Sequence, residues 1–209
     1  MLPYDIEVCT DNMADTLSAV AKGATRIELC GRLDLDGITP DPEFILQALA
    51  ETQVPIHVMI RPRGGDFVYT AEEIAKMEAD IDFCKKAGAP GVVLGALTPQ
   101  GNLDLELIQQ LAQRAKPLKV VVHKAIDYTA DPLAEFKRLL TIPEIDLVLT
   151  SGGQATALGG QAVLRDMIEA ANGQITVMAA GKITQENLSQ VDEAIGAKAY
   201  HGRLIVGQL

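Results

Sequence analysis

Two short segments place the same pair of reactive side chains at the same spacing. Ile6-Glu7-Val8-Cys9 and Ile27-Glu28-Leu29-Cys30 each carry a glutamate two residues before a cysteine, with aliphatic residues between. In an extended strand side chains alternate between faces, so each glutamate shares a face with its cysteine and the aliphatics take the other. The run Ile56-His57-Val58-Met59-Ile60-Arg61 alternates likewise and groups His57, Met59 and Arg61. His123 alternates the same way in Val120–Lys124, and His201 lies in the last apolar run. Glu7 and Glu28 are a candidate carboxylate pair, in which crowding raises one pKa and supplies a general acid beside a general base. His57 and His123 titrate near neutrality and can move protons. Glu7, Glu28, His57 and His123 are therefore the candidate catalytic set. Arg61 and Arg63 precede Gly64-Gly65, and a guanidinium grips a carboxylate or phosphate in two-pronged fashion. The Gly-rich segment from Ser151 and Gly152 to Gly160 offers backbone N–H groups to an oxyanion. Arg61, Arg63, Ser151 and Gly152 are thus the candidate ligand-binding residues for a small anionic molecule. The competing reading is a buried network in which these charged groups satisfy one another.

The elements that position these residues follow from periodicity. Short apolar, β-branched runs recur at Ile6–Thr10, Arg26–Gly31, Ile56–Pro62, Gly91–Leu97, Lys119–Ile126, Asp146–Ser151, Ile175–Ala180 and Ala199–Arg203. Segments with helical spacing separate them. Thr39, Thr70 and Thr184 are placed to cap helix starts, and Gly23, Gly88 and Gly196 to end helices. Such alternation predicts parallel strands with right-handed crossovers. Thr10-Asp11-Asn12 stands where a dinucleotide-binding glycine turn would follow the first strand, which argues against an open doubly wound sheet. The expected fold is a single (β/α)8 TIM barrel of eight parallel strands spanning residues 1–209. Only six residues follow Arg203, so the last helix is expected to be missing or incomplete. The flank left bare near Leu204-Ile205-Val206 is expected to pair two copies as a homodimer. Large aliphatics facing the helices would turn Glu7, Cys9, Glu28, Cys30, His57, Arg61 and His123 into the barrel. Lys124, following an inward histidine, is expected to face the helices.

The same residues carry a family resemblance. Ile6-Glu7-Val8-Cys9, Arg26-Ile27-Glu28-Leu29-Cys30 and Gly37-Ile38-Thr39-Pro40 occur in that order. The long run from His57 through Met59, Arg61, Pro62, Arg63, Gly64 and Gly65 to Tyr69 follows, then Gly95 to Pro99, His123 to Asp127, and Leu149-Thr150-Ser151-Gly152. This pattern resembles the CutC family over nearly the whole chain, and implies a (β/α) barrel linked to copper homeostasis. The resemblance carries that family's proposed copper ligands onto Cys9 and Cys30. Cu(I) is soft and favours thiolate and thioether ligands, so Met59 is a third candidate. The chain departs from the family pattern at Lys124 and Ile126, at Ala179-Ala180-Gly181-Lys182, and at Gly202-Arg203. Cys84 shares a helical face with Met77 and Ile81, and reads as core.

Composition excludes several classes. A net charge of −10 is the wrong sign for a phosphate backbone, so no nucleic acid partner is expected. No apolar run approaches the ~18 residues of a membrane span, and the start lacks a secretory pattern. The expected compartment is the cytoplasm, where three cysteines stay reduced. Two functions of different kinds follow. One is a Cu(I)-binding homeostasis protein. The other is a barrel enzyme acting on a small anionic metabolite by acid–base chemistry.

Overall fold

In a computed structural model, which describes residues 3–209, eight parallel strands hydrogen-bond in sequence order and close on themselves. The strands are β1 Asp5–Thr10, β2 Arg26–Leu29, β3 Ile56–Met59, β4 Gly91–Leu94, β5 Lys119–Val122, β6 Leu147–Thr150, β7 Thr176–Ala179 and β8 Ala199–His201. Helices α1 Met13–Ala21, α2 Pro42–Glu51, α3 Ala71–Ala87, α4 Leu105–Ala115, α5 Pro132–Leu139, α6 Gln161–Ala171 and α7 Leu188–Ile195 return the chain outside the barrel. The fold is a TIM barrel. Its β-branched runs make strands because both faces are buried, one against the helices and one in the barrel.

Two apolar layers result. The outer layer holds Ile6, Val8, Ile27, Leu29, Ile56 and Val58 against the helices. The inner one holds Cys30, Met59, Val93, Val121, Leu149 and Met178. The residues alternating with the outer aliphatics, Glu7, Glu28 and His57, are buried with their polar atoms directed into the barrel.

Several expected boundaries shift. Most strands stop two or more residues short of the apolar run, because about four residues per strand close the barrel and the chain then turns outward. His123 accordingly lies beyond β5, where its Nδ1 accepts the Ala125 N–H and caps a 3-10 turn over Lys124–Tyr128. Thr70 and Glu73 form the reciprocal cap at α3. Thr39 caps no helix: α2 begins at Pro42 behind Asp41, and the Thr39 hydroxyl instead accepts the Arg61 N–H at 2.9 Å. At α7 the cap residue is Asn187, whose side-chain oxygen Oδ1 accepts the Thr184 N–H.

No helix follows β8 among the described residues. The tail itself covers the flank, with Ile205 and Val206 buried and Lys22 donating to the Gln208 carbonyl. The exposed apolar surface on which a homodimer was expected is therefore absent at these residues.

Candidate functional site

The carboxyl ends of β1, β2, β3 and β8 converge on a polar cluster. Register decides its geometry. β1 pairs with β2 so that Glu7 stands opposite Arg26 and Cys9 opposite Glu28. Cys30 therefore sits one pleat beyond Cys9 rather than beside it. His201 stands opposite Glu7 on the other side of β1.

Glu7 is fully buried and anchors the cluster. Its Oε2 accepts Arg26 Nε at 2.6 Å, and its Oε1 lies 2.8 Å from His201 Nδ1. Burial alone would raise its pKa, but the His201 hydrogen bond and the Arg26 charge outweigh it and hold the carboxyl at about 2. Glu28 has no arginine in contact, only His201 at 3.9 Å, and burial pushes its pKa up. The two carboxylates thus take different protonation behaviour, Glu7 held down by the His201 bond and Arg26, Glu28 held up by burial. Burial disfavours the charged form of His201, yet the Glu28 carboxylate first, then Cys9 and the Glu7 bond, push its pKa well up.

Cys9 Sγ, a Glu28 carboxylate oxygen and a His201 ring nitrogen all lie within 4.8 Å of one another. With Nδ1 of His201 on Glu7, its Nε2 faces Glu28 at 3.9 Å. Cys30 lies outside this group and donates to Glu28 at 3.5 Å, its thiol pushed well up by burial and the Glu28 charge. Three donors of sulfur, nitrogen and oxygen type suit a soft or borderline transition metal.

The group lies in the wall of a cavity of about 320 Å³ at the barrel mouth, shared with Met59, Arg61, His123 and Lys124. His57 lies deeper, 3.7 Å from Glu7, with its ring against Gly91, and burial lowers its pKa to about 4. His123 is driven to about 3 by burial and the nearby Arg61 charge, so it is neutral at pH 7. Its ring packs on Phe67 at 4.9 Å, and Phe67 on Tyr128 at 5.5 Å.

The residues expected to hold an anion are occupied otherwise. Arg61 directs NH1 at the carbonyls of Leu35, Asp36 and Gly37 and NH2 at that of Gly65, tying two loops together. Arg63 turns outward to Glu73 and Asp66. The N–H groups of Ser151 and Gly153 donate to Asp127, and that of Gly152 to the Thr150 hydroxyl. Lys124 does not face the helices. β5 has ended before it, and its Nζ reaches Asp127 at 2.7 Å and Ser151 at 2.6 Å in the cavity wall.

Arg26 and His201 are the members that sequence reasoning passed over. Arg26 shares a face with Glu28 by alternation, and that was the available signal. His201 was visible in the last strand, but its neighbours depend on barrel closure.

A closed parallel barrel with a buried polar cluster at the carboxyl ends of its strands defines a TIM-barrel protein. The chain belongs to the CutC family, whose model matches residues 4–206. It is 43% identical over 196 residues to the copper homeostasis protein cutC homolog of Homo sapiens, covering 94% of this chain and 71% of that one. It is 41% identical over 203 residues to a family protein CutC of Histophilus somni, covering 94% of this chain and 83% of the relative. The crystal structure of a CutC protein from Streptococcus agalactiae superposes with a TM-score of 0.90 at 31% identity, covering 97% of this chain and 99% of that one. This is a copper homeostasis family.

Proposed function

We propose that this CutC-family chain binds Cu(I) as cargo at the barrel mouth through Cys9, with His201 as nitrogen ligand and Glu28 as a weaker third donor. The observation that carries this reading is the grouping of Cys9, Glu28 and His201 ligand atoms within 4.8 Å. Its supporting partner is Glu7. A metal-binding imidazole commonly gives its other N–H to a carboxylate, which fixes the tautomer and raises its basicity. Glu7 is buried, ionised and pinned by Arg26, and it accepts from His201 Nδ1 at 2.8 Å, leaving Nε2 for the ion. Met59 adds a thioether to the same cavity. Cys30 is a thiol held on Glu28. The cytoplasm, where these thiols stay reduced, is the compartment this reading requires.

The acid–base alternative receives less support. Glu7 held low and Glu28 pushed up keep the carboxylate pair it needs, but the NH groups of Arg61 that would hold its anionic substrate are taken up by backbone carbonyls. The test is Cu(I) competition against a chromophoric chelator under reducing conditions. Cys9→Ser is expected to lose Cu(I) retention and Cys84→Ser to keep it. Equal loss from both would reduce the binding to nonspecific thiol chemistry and overturn the proposal.

A further inference from the structure

A second cavity, of about 420 Å³, opens between the loops that follow β7 and β8. Its wall carries Lys124, Lys182 and Arg203 and no carboxylate. That composition is unexpected in a chain with 28 acidic and 18 basic residues. Like charges gathered round one concavity repel one another unless an anion lies between them.

Two of the cations have acidic neighbours outside the cavity wall. Lys124 Nζ meets Asp127 at 2.7 Å, and Arg203 meets Asp15 at 3.3 Å while remaining half exposed. Lys182 forms no ion pair among the described residues. Its backbone is also unusual: φ is 55° at Lys182, next to Gly181 at φ 109°. A lysine in the left-handed region is a sparsely populated conformation, and such positions gather at ligand clamps. Gly181 admits nothing larger, since a Cβ there would lie 2.9 Å from the Ala157 nitrogen. Packing therefore forces this turn and sets Lys182 at the rim.

The loops after the seventh and eighth strands of a (β/α)8 barrel are where phosphate groups are commonly held. Here Lys182 and Arg203 lie in those two loops, and Lys124 reaches the same cavity from the turn after β5. The two cavities share Lys124, His201 and Arg203, so the cationic shelf opens directly onto the deeper pocket. A ligand spanning both would place its anionic end on the shelf and its remaining atoms towards Met59, Phe67 and His123.

We propose that the shelf formed by Lys124, Lys182 and Arg203 binds the phosphate group of a small phosphomonoester whose organic part enters the adjoining pocket. The three cations are distinct from the Cys9, Glu28 and His201 group, although His201 lines both cavities. It also differs from the anion site expected around Arg61.

Calorimetry at fixed ionic strength with inorganic phosphate and with glycerol 3-phosphate tests the proposal. Both are expected to bind, the ester more tightly because its carbon chain gains the deeper pocket. Lys182→Gln combined with Arg203→Gln is expected to weaken both at least tenfold, while Lys76→Gln on exposed α3 changes neither. Cys9→Ser is expected to leave phosphate binding intact, which separates failure of this proposal from failure of the copper reading. Circular dichroism of the double variant identifies any loss of fold, and Lys182→Gln alone then serves as the test. No phosphate binding by wild type, or binding unaffected by the charge removals, would overturn the phosphate site. Equal affinity for phosphate and ester would overturn the spanning ligand.

Discussion

His201 Nδ1 and Glu7 Oε1 stand 2.8 Å apart across the junction where β8 closes onto β1. They are 194 residues apart in sequence, and only barrel closure joins them. The pair links the fold to the proposed chemistry, because the imidazole bonded to Glu7 is the one that meets Cys9 and Glu28.

Glu7→Gln keeps the shape of the side chain and removes its charge. Copper affinity is expected to fall by roughly 10–100-fold, the usual effect of losing a carboxylate behind a metal-binding histidine. Competition titration measures it, and unchanged affinity would exclude the orienting role.

Arg26→Ala leaves the Glu7 carboxylate buried without its cation. The expected destabilisation is about 3–5 kcal/mol, as for breaking a buried ion pair from one side. Arg114→Ala breaks exposed contacts with Asp82 and Glu78, which solvent screens, and is expected to leave stability close to that of wild type. Urea denaturation of both variants checks the contrast.

His123 gives a signed pH dependence. Its folded pKa is lowered from 6.5 to about 3, so between those values the unfolded chain binds the proton and the folded chain does not. Its contribution is fully present above pH 6.5 and is lost as pH falls towards 3. Below pH 6 the stability of wild type is therefore expected to fall more steeply than that of His123→Gln, by up to ~1.4 kcal/mol per pH unit. Parallel stability–pH curves would contradict the buried neutral histidine.

Gly95 lies under that ring, and an added Cβ would approach His123 Cε1 to 2.6 Å. Gly95→Ala is expected to destabilise by about 1–3 kcal/mol through overpacking. It should also displace the His123 resonances in NMR spectra, and unshifted resonances would refute the contact.

The barrel was legible because strand–helix alternation leaves few topologies. Glu7, Glu28 and His57 were legible as inward residues because each alternates with aliphatics that require the helix-facing side. Register between strands was not. A shift of one pleat between β1 and β2 replaces a Cys9–Cys30 pairing with Cys9 opposite Glu28, and nothing local in either strand encodes that shift. The fate of Arg61 was hidden for a similar reason, since its partners are backbone carbonyls of loops whose path depends on the whole fold. Arg26 could have been read from alternation alone, as the residue two before Glu28.

In the proposed site one cysteine and one histidine hold the copper. X-ray absorption spectroscopy of the Cu(I)-loaded protein tests it most directly, by resolving sulfur from nitrogen or oxygen scatterers. A mixed shell with one sulfur and one imidazole nitrogen, the imidazole scattering lost in His201→Gln, is the expected result. A shell of two sulfurs with no imidazole scattering, unchanged in His201→Gln, would contradict it.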